Sequence, residues 1–137
     1  MSLADTLPNI ELFSELSKKE LKNIAALMTP IQVKMGRVLT KEGDPGREFM
    51  IIIEGTATVK RKGRVLARLG PGDFFGELAI VAGVPRTATV IADTDMVIET
   101  LNRREFTSLL DESPRIAKKV LVGAVRRLHE IEESIIR

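Results

Sequence analysis

Glu77 and Arg86 are the two side chains in this 137-residue chain whose surroundings suggest chemistry. They flank the segment Gly76-Glu77-Leu78-Ala79-Ile80-Val81-Ala82-Gly83-Val84-Pro85-Arg86. Gly76 permits close backbone approach, Glu77 to Val81 suit about one helical turn, and Gly83 and Pro85 stop that turn before a strand begins near Arg86. The start of a helix leaves backbone N–H groups unpaired and pointing one way, which favours an anion. The planar guanidinium of Arg86 can grip two oxygens of one phosphate, which a lysine does less specifically. Glu77 taken alone would only complement the helix dipole. Beside an anion site it would repel the phosphate unless a hydroxyl needed an acceptor there. Oriented N–H groups, one arginine and one acceptor carboxylate together describe a phosphate attached to a sugar, and so a nucleotide.

The elements that must hold these residues are strands in the middle of the chain and helices at its ends. Glycines at 36, 43, 46, 55, 63, 70, 72 and 76 punctuate short runs. The runs Ile31 to Lys34, Arg37 to Thr40, Glu48 to Ile53, Thr56 to Lys60, Arg64 to Leu69, Thr87 to Ala92 and Met96 to Leu101 read as strands, several rich in Val, Ile and Thr. Regular short strands with tight turns predict a sandwich or barrel. Arg61-Lys62-Gly63-Arg64 reads as a hairpin tip, and Glu42 to Gly46 as a break in any helix or central strand. Ser17 with Glu20, and Asn102 with Glu105, are capping-box pairs that open helices, and Ser113-Pro114 reads as the cap and first residue of a last helix running to the chain end. Along that helix Ala117, Leu121, Ala124, Leu128, Ile131 and Ile135 follow the spacing of a coiled-coil seam. Two readings stand: a homodimer contact, or packing on the chain's own strands.

Other chemistries are poorly served. Cysteine is absent and His129 is the one histidine, so thiol catalysis, zinc ribbons and multi-histidine metal centres have no ligands here. No Ser-His pair is placed for nucleophilic attack, and no second carboxylate partners Glu77, so no catalytic residue is assigned and no enzyme is expected. Twenty-one basic against 19 acidic residues leave a net charge of +2, too little to bind nucleic acid by charge alone. The apolar runs are far shorter than a membrane span of about 20 residues, and the N-terminus lacks the pattern of a secretory signal. A cytoplasmic protein, or the cytoplasmic piece of a larger one, is expected.

The segment Phe75-Gly76-Glu77-Leu78-Ala79, followed by Pro85-Arg86-Thr87-Ala88-Thr89-Val90, resembles the phosphate-binding cassette of the cyclic-nucleotide-binding domain family. That family includes protein kinase A regulatory subunits, cyclic-nucleotide-gated channels and the catabolite activator protein. Glu42-Gly43-Asp44 and Glu54 to Val59 are similar to its glycine-marked turns, so the likeness covers roughly residues 10 to 135. It implies a mainly β fold: an eight-stranded, jelly-roll-like β-roll over about residues 30–101, an N-terminal helix, the short cassette helix, and C-terminal helices over about 102–136, all within one domain, 1–137. It implies a sensor without a catalytic cofactor. Its ligand would be cAMP, favoured over cGMP, although Thr87 leaves cGMP open because a hydroxyl there can meet either the phosphate or a guanine amino group. Carried over by position, Glu77 accepts from the ribose 2′-hydroxyl, Arg86 pairs with the cyclic phosphate after Pro85, and backbone N–H groups around Gly76, Leu78, Ala79, Thr87 and Ala88 complete the cradle. In related domains the last helix closes over the base. Gly123, which costs about 1 kcal/mol in a helix interior, would then mark close approach of a base or backbone, and Arg127 would touch the base. With no Trp or Tyr, such a lid is aliphatic or cationic. The effector lies outside this chain or is a second copy of it. The competing expectation is a degenerate roll that serves only for interaction or dimerisation.

Overall fold

The computed structural model describes residues 3–136, with the side chains of residues 130, 131 and 133–136 left aside. A short α1 (Leu3–Thr6) and two 3-10 turns (Leu7–Asn9 and Glu11–Phe13) lead into α2 (Lys18–Leu27). Eight strands follow: β1 (Thr29–Val33), β2 (Val38–Thr40), β3 (Glu48–Glu54), β4 (Ala57–Arg61), β5 (Arg64–Leu69), β6 (Phe74–Phe75), β7 (Thr89–Ala92) and β8 (Met96–Asn102). The short α3 (Glu77–Val81) lies between β6 and β7, and α4 (Arg103–Glu112) and α5 (Pro114–Ile136) close the chain. The strands form two antiparallel four-stranded sheets, ordered β1-β8-β3-β6 and β2-β7-β4-β5. This is the mainly β roll with flanking helices that the sequence implies.

Side-chain alternation divides the interior into two cores. On β3, Met50 and Ile52 face the space between the sheets with Val33, Phe75, Val90, Ala92, Met96 and Ile98. Their neighbours Phe49 and Ile51 face the other way, with Leu101, toward Leu21 and Ile24 of α2, Phe106 and Leu109 of α4, and Ile116 and Val120 of α5. Strand β3 is covered on both faces, which is why its apolar residues run continuously instead of alternating with polar ones.

Both capping boxes form. Ser17 Oγ accepts from Glu20 N–H at 3.2 Å while Ser17 N–H donates to Glu20 Oε1 at 3.1 Å, and the Asn102–Glu105 pair does the same at 2.8 and 2.9 Å. Ser113 Oγ accepts from Ile116 N–H, and Pro114 opens α5. The sequence reading missed β6, a two-residue strand paired to Met50 and Ile51 of β3. It also began the Thr87 to Ala92 run too early: Thr87 and Ala88 precede β7 and carry no ladder pairing.

The seam expected along α5 splits. Ala124 is buried, but Leu121 and Leu128 are 60% and 51% exposed, so the reading that packs the whole stripe on the roll fails at these two residues. The side chains of Ile131 and Ile135 lie outside the described residues. The roll-facing line runs instead through Ile116, Val120 and Gly123, with the same spacing one residue earlier, which places Leu121 and Leu128 about 100° around the helix from it. Among the described residues, no helix is long and apolar enough to cross a membrane.

Candidate functional site

A cleft of about 850 Å³ opens between the second sheet, the β6–α3 segment and α5. Its walls include Thr40, Val59, Leu69 and Val90 on one side and Val122, Gly123 and Arg127 on the other. Gly76, Glu77, Leu78, Ala79, Arg86, Thr87 and Ala88 all line it, so the structure gathers most of the residues singled out in the sequence.

Arg86 is held from below by main chain. It is 8% exposed, and its Nη1 and Nη2 donate to the carbonyls of Gly76 at 3.2 Å and Glu48 at 2.9 Å. The segment is fixed on its other side too: Arg86 N–H donates to Asp44 O at 2.8 Å, and Gly43 N–H donates to Arg86 O at 2.9 Å. Gly46 packs so closely beneath that an added Cβ would lie 2.2 Å from Ala79 Cβ and 3.2 Å from Arg86 Cδ. The turn Glu42 to Gly46, read in the sequence as a break and a glycine-marked turn, is therefore the base on which the arginine rests. Burial lowers the Arg86 pKa, and the charges of Glu48 and Glu77 oppose that shift. A guanidinium carries five N–H donors, so two carbonyl bonds leave donors for an anion.

Gly76 is required at its position. Its φ is +96°, in the left-handed region, and an added Cβ would meet Glu48 O at 2.6 Å and Arg86 Nη1 at 2.7 Å. Glu77, which opens α3, is 1% exposed. Burial pushes its carboxyl pKa up, while the positive charge of Arg127, a hydrogen bond from its own backbone N–H and the charge of Arg86 pull against the rise. Arg127 Nη1 donates to both carboxylate oxygens, at 2.9 and 2.8 Å, and Nη2 donates to the Phe74 carbonyl. The guanidinium also lies over the Phe74 ring, 5.1 Å from its centroid.

Three expectations change on this geometry. Pro85 does not line the cleft. It is exposed in a neighbouring groove, and its contribution is to bring the chain to Arg86. Gly123 makes room for a protein side chain: an added Cβ would lie 2.8 Å from Phe74 Cζ. Arg127, expected at the base, is engaged with Glu77, the carboxylate assigned to the ribose. The residue the sequence reading overlooked is Phe74, which lines the cleft, touches Gly123 and supports Arg127. The adjacent pair Phe74-Phe75 carried the signal, since neighbouring strand residues face opposite sides and two aromatics in a row need two apolar environments.

The family model for the cyclic nucleotide-binding domain matches residues 30–113. A cyclic nucleotide-gated potassium channel of Rhizobium etli is 35% identical over 118 residues, 86% of this chain and 33% of the channel. The cAMP-dependent protein kinase regulatory subunit of Debaryomyces hansenii is 38% identical over 116 residues, 83% of this chain and 25% of that subunit. The chain thus spans a third or less of these relatives. Among solved structures, a protein kinase A regulatory domain bound to the cAMP analogue Sp-2Cl-cAMPS superposes with a TM-score of 0.82 at 27% identity, over 94% of this chain and 88% of that one.

Proposed function

Because the chain belongs to the cyclic nucleotide-binding domain family, a family of regulatory ligand-binding domains, we propose that residues 1–137 form one sensor unit that takes cAMP in preference to cGMP and reports its arrival through α5. The cyclic phosphate sits against Arg86 and the N–H groups of the Gly76 to Ala79 and Thr87 to Ala88 segments. The ribose 2′-hydroxyl donates to Glu77, and the base lies toward Val122 and Gly123. The observation that carries this reading is a buried arginine, braced by two carbonyls and lining the same cleft as a buried carboxylate.

The reporting step follows from what Glu77 already holds. Arg127 occupies both oxygens of the carboxylate that the ribose needs. A nucleotide must share or displace that arginine, and either event changes the free energy of seating α5 on the cassette. A ligand can move the helix only by as much as it prefers one seating over the other. Phe74, touching both Gly123 and Arg127, conveys the displacement. The output element is supplied by a longer protein or by a second copy meeting the exposed Leu121, Val125 and Leu128 of α5, in a cytoplasmic setting.

Calorimetric titration of the whole chain tests the reading. Saturable heat with cAMP, and weaker binding of cGMP, is expected. No heat with either nucleotide at millimolar concentration would leave the roll as an interaction or dimerisation module.

A further inference from the structure

A second groove, of about 640 Å³, lies behind the Arg86 segment, away from the nucleotide cleft. Three chain segments form it: the turn that holds Arg86, the Gly83 to Pro85 stretch after α3, and the β8–α4 junction. Arg47, Arg103 and Arg104 line it, and no acidic residue does. All three arginines are exposed, and among the described residues none makes a salt bridge or a side-chain hydrogen bond. Three cations elsewhere do have ion-pair partners, Lys119 with Glu11, Arg127 with Glu77 and Arg68 with Asp93. In a chain whose net charge is only +2, the groove is a local positive excess. Between the arginines lie the apolar Pro45, Val84 and Pro85, with Val84 41% exposed, beside Gly43, Gly46, Gly83 and Asn102.

We infer that this groove docks an acidic peptide segment of a partner protein, its carboxylates meeting Arg47, Arg103 and Arg104 and an apolar side chain resting on Val84 and the two prolines. The groove is preformed, because the backbone bonds of Asp44 and Gly43 to Arg86 and the contact of Gly46 with Ala79 fix its wall, so docking requires little ordering of this chain. A nucleic-acid strand fits less well, since no aromatic side chain lines the groove to stack on a base. A membrane fits less well, since the cations border a concavity.

A fluorescein-labelled peptide alternating glutamate and leucine, titrated with the full chain in fluorescence anisotropy at low salt, tests the assignment without any nucleotide present. Saturable binding is expected, weakened roughly two- to fivefold by each of Arg47→Gln, Arg103→Gln and Arg104→Gln, lost in the triple variant, and weakened by added salt. Lys19→Glu and Lys22→Glu, on α2, should leave it intact, and melting curves check that every variant folds. Absence of binding at low salt would overturn the assignment, as would equal losses from the α2 variants. Tighter arginine-dependent binding to a single-stranded RNA oligonucleotide or to phosphatidylserine vesicles would overturn it in favour of that other partner.

Discussion

At one end of the cleft a cation is fastened to main chain alone, and at the other end a cation is fastened to a carboxylate as well as to one carbonyl. Arg86 donates to the carbonyls of Gly76 and Glu48, and its own backbone is bonded both ways to the Gly43–Asp44 turn. Nothing there can let go without disturbing β3 and the turn. Arg127 reaches across from α5 to the Glu77 carboxylate and the Phe74 carbonyl. Among the described residues the first half of its helix is anchored by the buried Ile116, Val120 and Ala124, with Arg115 donating to Glu15 O and Lys119 to Glu11 O. Leu121, Val125 and Leu128 of the same helix are exposed. The first end is built to hold a charge in place. The second holds a partner that can be exchanged for another, and under the proposed function the first grips the phosphate while the second is the contact that changes.

Removing the fixed end should have the largest effect. Arg86→Leu is expected to cost about 1.5–3 kcal/mol of cAMP binding, the range for hydrogen bonds to a charged group, or roughly 10- to 150-fold in Kd by calorimetry. Unchanged affinity in a folded variant would refute the role given to Arg86. Gly76→Ala attacks the same end through the backbone. Left-handed geometry costs a side chain about 1–2 kcal/mol, and the clash with Glu48 O adds to it, so urea unfolding should show a loss of about 2 kcal/mol or more. A neutral result would mean the φ of +96° is not obligatory.

Glu77→Gln sharpens the contrast through pH. Burial holds the Glu77 carboxyl above the ordinary carboxylate range, so the folded chain takes up its proton more readily than the unfolded chain does. The contribution of this group to stability is therefore full below the unfolded pKa, about 4.3, and is lost as pH rises through the folded value. Melting curves between about pH 7 and pH 4 should show the wild type gaining on Glu77→Gln as pH falls. A wild type that instead loses ground on acidification would mean that the attraction of Arg127 outweighs burial. Smallest in affinity is Arg127→Ala. It removes a competitor for Glu77 as well as a contact, and the two effects oppose each other, so the change in cAMP affinity should stay below about tenfold, or 1.4 kcal/mol. A loss matching that of Arg86→Leu would erase the distinction between the two ends.

What could be read in the sequence was what is settled within a few residues. Ser17 with Glu20 and Asn102 with Glu105 announce their helices because each pair satisfies backbone groups of the same turn. The cassette was legible because Gly76, Glu77, Arg86, Thr87 and Ala88 lie in one short stretch. Contacts between distant segments were not. Whether Pro85 faces the cleft or the groove behind it depends on how the Gly43 to Arg47 turn packs against Arg86. The need for glycine at 123 arises from Phe74, which reaches α5 only because β6 pairs with β3. Strand β6 was hidden because two residues give too short a run to show alternation. The Arg127–Glu77 pair joins the last helix to the cassette, and nothing near either residue announces the other.

Hydrogen exchange of the intact chain, compared without ligand and saturated with cAMP, tests the contrast most directly. If Arg86 is a fixed grip and Arg127 an exchangeable one, the amides of α5 from Gly123 onward change strongly on binding, while those of Gly43, Asp44 and Arg86, bonded to Arg86 O, Lys41 O and Asp44 O, are already protected and change little. Binding that leaves α5 untouched, or that first orders the turn beneath Arg86, would contradict the account.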